Sequence, residues 1–284
     1  MLSYQHAYHA GNFADVHKHL ILFAVIDHLL RKESSVTYMD THAGRGLYPL
    51  AAEETSRLQE YREGVARLWQ ARERLELERD PLLGDWLAAL GEVQSLAGGL
   101  DHYPGSPWWL SARLRAQDRL MLFELHPGEH GHLARQALPD NVQRIHGDGL
   151  QGLVKGLPVP SPRLCVLVDP SYERKAEYAE VAEAVCQAMR KARHAVVLVW
   201  YPLLPAGRHR DLLEGLRDGG VRKIWRSELR LREPQEGERG MVGSGLLVIN
   251  PPWGLDERLE AAMAKVLPLL GEASRHSGDW WVGE

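Results

Sequence analysis

The chain has 284 residues, 44% hydrophobic and 25% charged, which excludes wholesale disorder and fits about two domains or one large α/β domain with an insertion. Its 34 Lys+Arg against 38 Asp+Glu give a net charge of −4, so the whole-chain balance makes no electrostatic case for nucleic acid. Two cysteines, Cys165 and Cys186, exclude a disulfide framework and suit a reducing compartment.

The longest apolar run, residues 20–26, falls far short of the ~20 residues of a membrane span. Residues 1–12 carry no Lys or Arg with which a signal peptide would open, so a soluble cytoplasmic protein is expected. Residues 1–10 are polar and aromatic and lead into Gly11-Asn12. Helical spacing of Val16, Leu20, Phe23, Ala24 and Leu30 predicts a helix over 13–32. A short strand at 36–40 runs into the turn T-H-A-G-R-G at 41–46. From 53 to 92 the character changes to ten acidic and six basic residues with helical stripes, and Asp80-Pro81 is a good N-cap and first-turn pair. Residues 49–103 therefore read as an inserted helical subdomain of a domain made by 1–48 and 104–284.

Strands are predicted at 120–125, 142–145, 164–168, 195–200, 223–231 and 245–249, with helices at 107–116, 178–191 and 208–218. Near-continuous apolar strands alternating with helices imply a mostly parallel sheet covered on both faces. The last two strands are expected to form an antiparallel hairpin at its edge. Such a doubly wound, Rossmann-like sheet binds ligands beyond the carboxyl ends of its strands.

Acidic residues stand at or just past four of those ends: Asp40, Glu124, Asp148 and Asp169. Each alone is an ordinary turn or helix cap. A nucleoside gives them a common purpose, since glycines let the backbone approach it and carboxylates accept ribose hydroxyls or an adenine amino group. The turn lacks the G-x-G-x-x-G that holds a pyrophosphate, so a nucleoside without phosphates, such as S-adenosylmethionine, fits better. The turn Asp169-Pro170-Ser171-Tyr172 then suggests the acceptor. A carboxylate and a proline carbonyl accepting both N–H groups of an adenine amine would favour the tetrahedral nitrogen that attacks a methyl group. The following aromatic can stack on an extruded base.

Asn250-Pro251-Pro252-Trp253 matches the (D/N/S)-P-P-(Y/F/W) pattern of amino-methyltransferases better by letters, but its strand comes after the fifth, near the sheet edge. Six of the 14 histidines lie at or before residue 42. Without accompanying carboxylates or cysteines no metal site is expected; His19 and His42 read as neutral imidazoles bordering a pocket.

The opening M-L-S-Y-x-H-x-x-H-A-G-N-x-A-D-V-x-K-H is followed in order by D-T-H-A-G-R-G, Y-P-G-S-P, E-L-H-P, D-P-S-Y, W-Y-P and I-N-P-P-W. Together these resemble the bacterial 23S rRNA adenine-N6 methyltransferases of the J type. The resemblance implies a class I methyltransferase sheet, mostly parallel with an antiparallel edge, carrying a small helical subdomain. It implies a monomer that uses S-adenosylmethionine to methylate one adenine of 23S rRNA, the adenine-2030 site in the family. Cofactor contacts would fall on His19, His42, Ser106, Glu124, Asp148, Gly149 and Asp169. Asp169 would be catalytic, with Tyr4, Lys18 and Tyr172 on the substrate side.

The sequence departs from the expected D-P-P-Y at Ser171, which should soften the loop and slow the reaction modestly. A DNA adenine-N6 methyltransferase and a non-catalytic RNA-binding protein are the alternatives. The excess negative charge sits in residues 53–92, whereas residues 190–232 hold eleven Lys+Arg against four Asp+Glu, a possible phosphate-binding surface.

Overall fold

The side-chain oxygen of Asn12 accepts from the backbone N–H groups of Ala14 and Asp15, both at 3.0 Å, and so caps helix α1, Phe13–Leu30. The structure is a computed structural model that describes residues 5–95, 98–235, 237–238 and 240–284. In it α1 is buried almost all round, which is why it also carries the buried polar residues Asp15, His17, Lys18 and His19. Strand β1 (Val36–Asp40) follows, then the short β2 (Leu47–Pro49).

Helices α2 (Glu53–Leu58), α3 (Val65–Ala71) and α4 (Pro81–Gly91) come next, and the chain returns through β3 (His102–Pro104). β2 and β3 pair antiparallel, Tyr48 opposite Tyr103. Asp80 caps α4 through the Leu83 N–H at 3.1 Å, with Pro81 in its first turn, as expected. The apolar faces of α3 and α4 join the core that includes α1, through Leu68, Leu83 and Leu87. Trp86 stacks on Trp109 with centroids 5.4 Å apart.

The remaining elements are α5 (Ser106–Ser111), β4 (Arg119–Glu124), α6 (Pro127–Ala134), β5 (Val142–His146), α7 (Gly149–Gly156), β6 (Arg163–Val168), α8 (Glu177–Lys191), β7 (Val196–Leu203), α9 (His209–Asp218), β8 (Ile224–Arg230), β9 (Gly243–Ile249), α10 (Leu255–Leu270) and β10 (Arg275–Val282). One eight-stranded sheet has the order β10-β8-β9-β7-β6-β1-β4-β5. From β5 to β7 all pairings are parallel, and those of β9 and β10 are antiparallel. The chain leaves β1 toward β4 and β5, then returns beside β1 to build β6 and β7. That reversal opens a crevice at the carboxyl ends of these strands.

Three expectations are adjusted. The helix expected over 107–116 stops at Ser111, because Arg115 turns to Asp118 and to the carbonyls of Lys32 and Ser34, feeding the chain into β4. The hairpin of β8 and β9 exists, but β9 lies inside the sheet against β7. The outermost strand is β10, which sequence periodicity does not announce. It is held by paired hydrogen bonds of 2.9 and 2.8 Å from Arg226 to Asp279.

Candidate active site

A cavity of about 840 Å³ opens at the carboxyl ends of β1, β4, β6 and β7, beside the first half of α1. His19, His42, Ser106, Glu124, Asp148, Gly149 and Asp169, together with Lys18 and Tyr172, all line it. Tyr4 lies outside the described residues. Asp40 sits beneath, fully buried, with Oδ1 accepting the His42 N–H at 3.2 Å. Burial pushes its pKa up to about 7, although the Ser106 hydroxyl and that N–H act the other way.

The turn after β1 is built around Glu124. Its Oε2 accepts the Gly44 N–H at 2.7 Å and its Oε1 the His126 N–H at 2.6 Å. Burial raises the carboxyl's pKa against these two donors. Gly44 has φ +63°, and a Cβ there would lie 2.4 Å from the Tyr48 hydroxyl. Arg45 reaches the other way, donating two bonds of 2.9 and 2.6 Å to buried Glu129 and so fastening the turn to α6. At Gly149 a Cβ would come 2.0 Å from the Thr41 carbonyl oxygen, so α7 starts hard against the exit of β1. Asp148 caps α7 through the Gln151 N–H at 3.0 Å.

The two histidines are neutral for identifiable reasons. Burial lowers the His42 pKa to about 4. Its Nδ1 lies 2.7 Å from the Thr41 hydroxyl, which also reaches the Leu167 carbonyl at 3.2 Å; the neutral ring has one N–H donor and one acceptor nitrogen. His19 has its pKa lowered well below the ordinary value by burial and by the Lys18 charge. Its Nδ1 is 2.7 Å from the Tyr103 hydroxyl, while Nε2 is buried without a partner among the described residues.

Lys18 ties helix α1 to the turn after β6. Its ammonium lies 2.5 Å from Asp169 Oδ2 and 2.9 Å from Asp15 Oδ1. Burial would discharge it, but the two carboxylates outweigh burial and hold its pKa above the ordinary lysine value. Asp15 also faces a burial cost, overcome by His6 and Lys18, so its pKa falls well below the ordinary range. Its Oδ2 accepts from the Gly11 N–H and from His6 Nε2, both at 2.9 Å. Tyr172 is 7% exposed, with φ +53°; its ring stacks on Tyr178 at 4.3 Å and its hydroxyl donates to the Trp200 carbonyl at 2.8 Å. Sequence reasoning missed Asp15, Arg45, Glu129 and Trp200 as site residues. Asp15 left a local signal in its i,i+3 spacing to Lys18, and Arg45 and Trp200 in their places at strand ends, whereas Glu129 left none.

The family model described as "Ribosomal RNA large subunit methyltransferase D, RlmJ" matches residues 33–282. The chain belongs to this RlmJ family. Ribosomal RNA large subunit methyltransferase J of Escherichia coli is 38% identical over 273 residues, 95% of this chain and 93% of that protein. The protein of the same name from Haemophilus influenzae is 36% identical over 285 residues, 99% and 98% of the two chains. A crystal structure of a Legionella pneumophila protein superposes with a TM-score of 0.85 at 35% identity, covering 96% of this chain and 98% of that one. The mostly parallel sheet with antiparallel edge strands is the class I methyltransferase architecture that the resemblance implies.

In this RlmJ-family chain the second D/N-P-P-like turn faces away from the cavity. β9 runs against β7, so Asn250 emerges level with the start of β7. Its amide donates to the carbonyls of Arg193 and Ala195 at 2.9 and 2.8 Å, a purely local brace, and Trp253 is 90% exposed. The basic run 190–232 is also divided. Arg208 and Arg210 lie at the cavity end, where α9 begins, whereas Lys191, Arg193, Arg222 and Lys223 lie at the opposite end of the sheet. Among the described residues no three of His, Cys, Asp or Glu converge as metal ligands, and no helix is long and apolar enough to cross a membrane.

Proposed function

We propose that this RlmJ-family methyltransferase transfers a methyl group from S-adenosylmethionine to N6 of one adenine in 23S rRNA, the family's adenine-2030 site. The observation that carries the reading is Asp169 at the crevice mouth after β6, with Oδ2 fixed by Lys18 and Oδ1 unpartnered among the described residues.

The donor set fits the cofactor. His19 Nε2 is a buried polar atom in need of a partner, His42 is a neutral imidazole on the cavity wall, and Glu124 keeps lone pairs beyond the two N–H groups it accepts. Carboxylates with neutral imidazoles suit a sulfonium cation, which charged histidines would repel. His19, His42, Ser106, Glu124, Asp148, Gly149 and Asp169 would hold it. When bound, S-adenosylmethionine supplies an electrophilic methyl group.

The chain's own residues prepare the nucleophile. Asp169 accepts one N–H of the adenine amine and the Pro170 carbonyl the other, localising the nitrogen lone pair. Lys18 keeps the Asp169 carboxylate in place, and Tyr172 and Tyr4 belong to the substrate side. Asp169→Ala should abolish N6-methyladenosine in treated 23S rRNA, read by mass spectrometry, while circular dichroism stays native. Retained methylation would overturn the assignment. Competition with duplex DNA, which should not slow methyl transfer to rRNA, separates the DNA alternative.

A further inference from the structure

We infer that Trp200 is the surface on which the target adenine stacks, and that a buried chain of hydrogen bonds through Ser244 and His17 holds its indole in place. The inference rests on the adenine-methylation reading above. Trp200 lines the cavity and is only partly buried. Its ring centroid is 5.9 Å from the Lys18 ammonium, which in turn touches Asp169. Tyr172, the aromatic of the D-P-S-Y turn, is already engaged: Tyr178 covers one of its faces and its hydroxyl is spent on the Trp200 carbonyl. The Tyr172 and Trp200 rings stand 6.1 Å apart at 47°, too inclined for both to lie flat on one base.

Trp200 is anchored twice. Tyr172 holds its backbone oxygen, and its indole N–H donates to Ser244 Oγ at 3.0 Å. Ser244 Oγ lies 3.0 Å from His17 Nδ1; His17 Nε2 lies 2.8 Å from Ser227 Oγ, which lies 2.8 Å from His276 Nε2. His17, Ser227 and Ser244 are fully buried. One arrangement satisfies every member. The Ser244 oxygen accepts from the indole, so its hydrogen goes to His17 Nδ1; His17 Nε2–H then donates to Ser227, whose hydrogen goes to His276. Apolar residues at 17, 227 and 244 would pack α1 on the sheet equally well. They would leave the indole N–H without an acceptor and its plane undetermined. Ser244 is therefore a positioning residue, acting through Trp200.

The experiment is a double-mutant cycle on single-turnover methyl transfer to 23S rRNA, with S-adenosylmethionine affinity measured alongside. Trp200→Ala should lower kcat/KM for RNA roughly 10- to 100-fold, the range of a lost base stack, and leave cofactor affinity within about twofold. Ser244→Ala should cost about 3- to 10-fold in the native background and nothing further in Trp200→Phe, which has no indole N–H. Ser244→Thr, which keeps the hydroxyl, should restore the rate. Equal losses from Ser244→Ala in both backgrounds, or a Trp200→Ala rate equal to wild type, would overturn the inference. If Ser244→Ala does not fold, Trp200→Ala against Trp200→Phe decides alone, with Phe keeping most of the stacking. A wild-type protein that transfers no methyl to rRNA overturns the underlying reading instead, and with it this one.

Discussion

Lys18 on helix α1 and Asp169 in the turn after β6 meet at 2.5 Å across 151 residues of sequence. Because Asp15 flanks the same ammonium, removing the lysine leaves two carboxylates facing each other in a buried site. Lys18→Met should lower unfolding free energy by about 3–5 kcal/mol, measured by urea denaturation. Adding Asp15→Asn should recover part of that loss, since it removes one of the stranded charges. Methyl transfer should fall by about 100-fold in the single variant.

Asp40 makes stability depend on pH in an unusual direction. The unfolded chain releases this proton near pH 4, whereas the folded chain keeps it to about pH 7 because the group is buried. Its contribution is therefore complete below about pH 4 and is lost as the pH rises through 7. Asp40→Asn should remove that component, so its stability relative to wild type should climb between pH 4 and 7, by on the order of 3 kcal/mol, and then level off. Urea midpoints at several pH values, without cofactor, check it.

Ser171 can be tested for what it costs. Its N–H makes no hydrogen bond among the described residues, so a proline there breaks none. Ser171→Pro should stabilise the fold by about 0.5–1 kcal/mol and raise the single-turnover rate a fewfold. A large drop in rate would mean that the serine hydroxyl serves the reaction.

The divided basic run predicts divided effects on RNA. Arg208 and Arg210 stand at the cavity end with no ion pair among the described residues. Replacing both with Ala should weaken rRNA binding and flatten the salt dependence of log K by about 1.5. Lys191→Ala with Arg193→Ala, at the far end, should leave the slope unchanged. Filter-binding titrations between 50 and 200 mM salt, the range over which such contacts are lost, give both numbers.

Much of the site could be read before folding because carboxyl ends of apolar strands are visible in sequence. Asp40, Glu124 and Asp169 each close a run with strong strand character, and doubly wound sheets bring such ends together. What could not be read depends on distant partners. Nothing near Lys18 announces Asp169, and nothing near Trp200 announces Ser244. Helices α6 and α7 are eight residues each and carry internal glycines, so they offer barely two turns of pattern to read. Helix α10 is written in the spacing of Leu255, Leu259, Ala262, Met263 and Val266, a signal that reading strand ends alone passes over. The look-alike turn at 250–253 could be dismissed fully only once the direction of β9 was known.

Strand β10 has a consequence for solubility. It is mostly exposed, polar and interrupted by a bulge between Trp280 and Val282, features that discourage another chain from adding to it. The strand it covers, β8, is largely buried and regular. Loss of residues 275–284 would uncover a long, flat row of unpaired amides and carbonyls beside Trp225 and Leu229. The shortened protein should self-associate through that margin, so the last strand acts as a seal against aggregation.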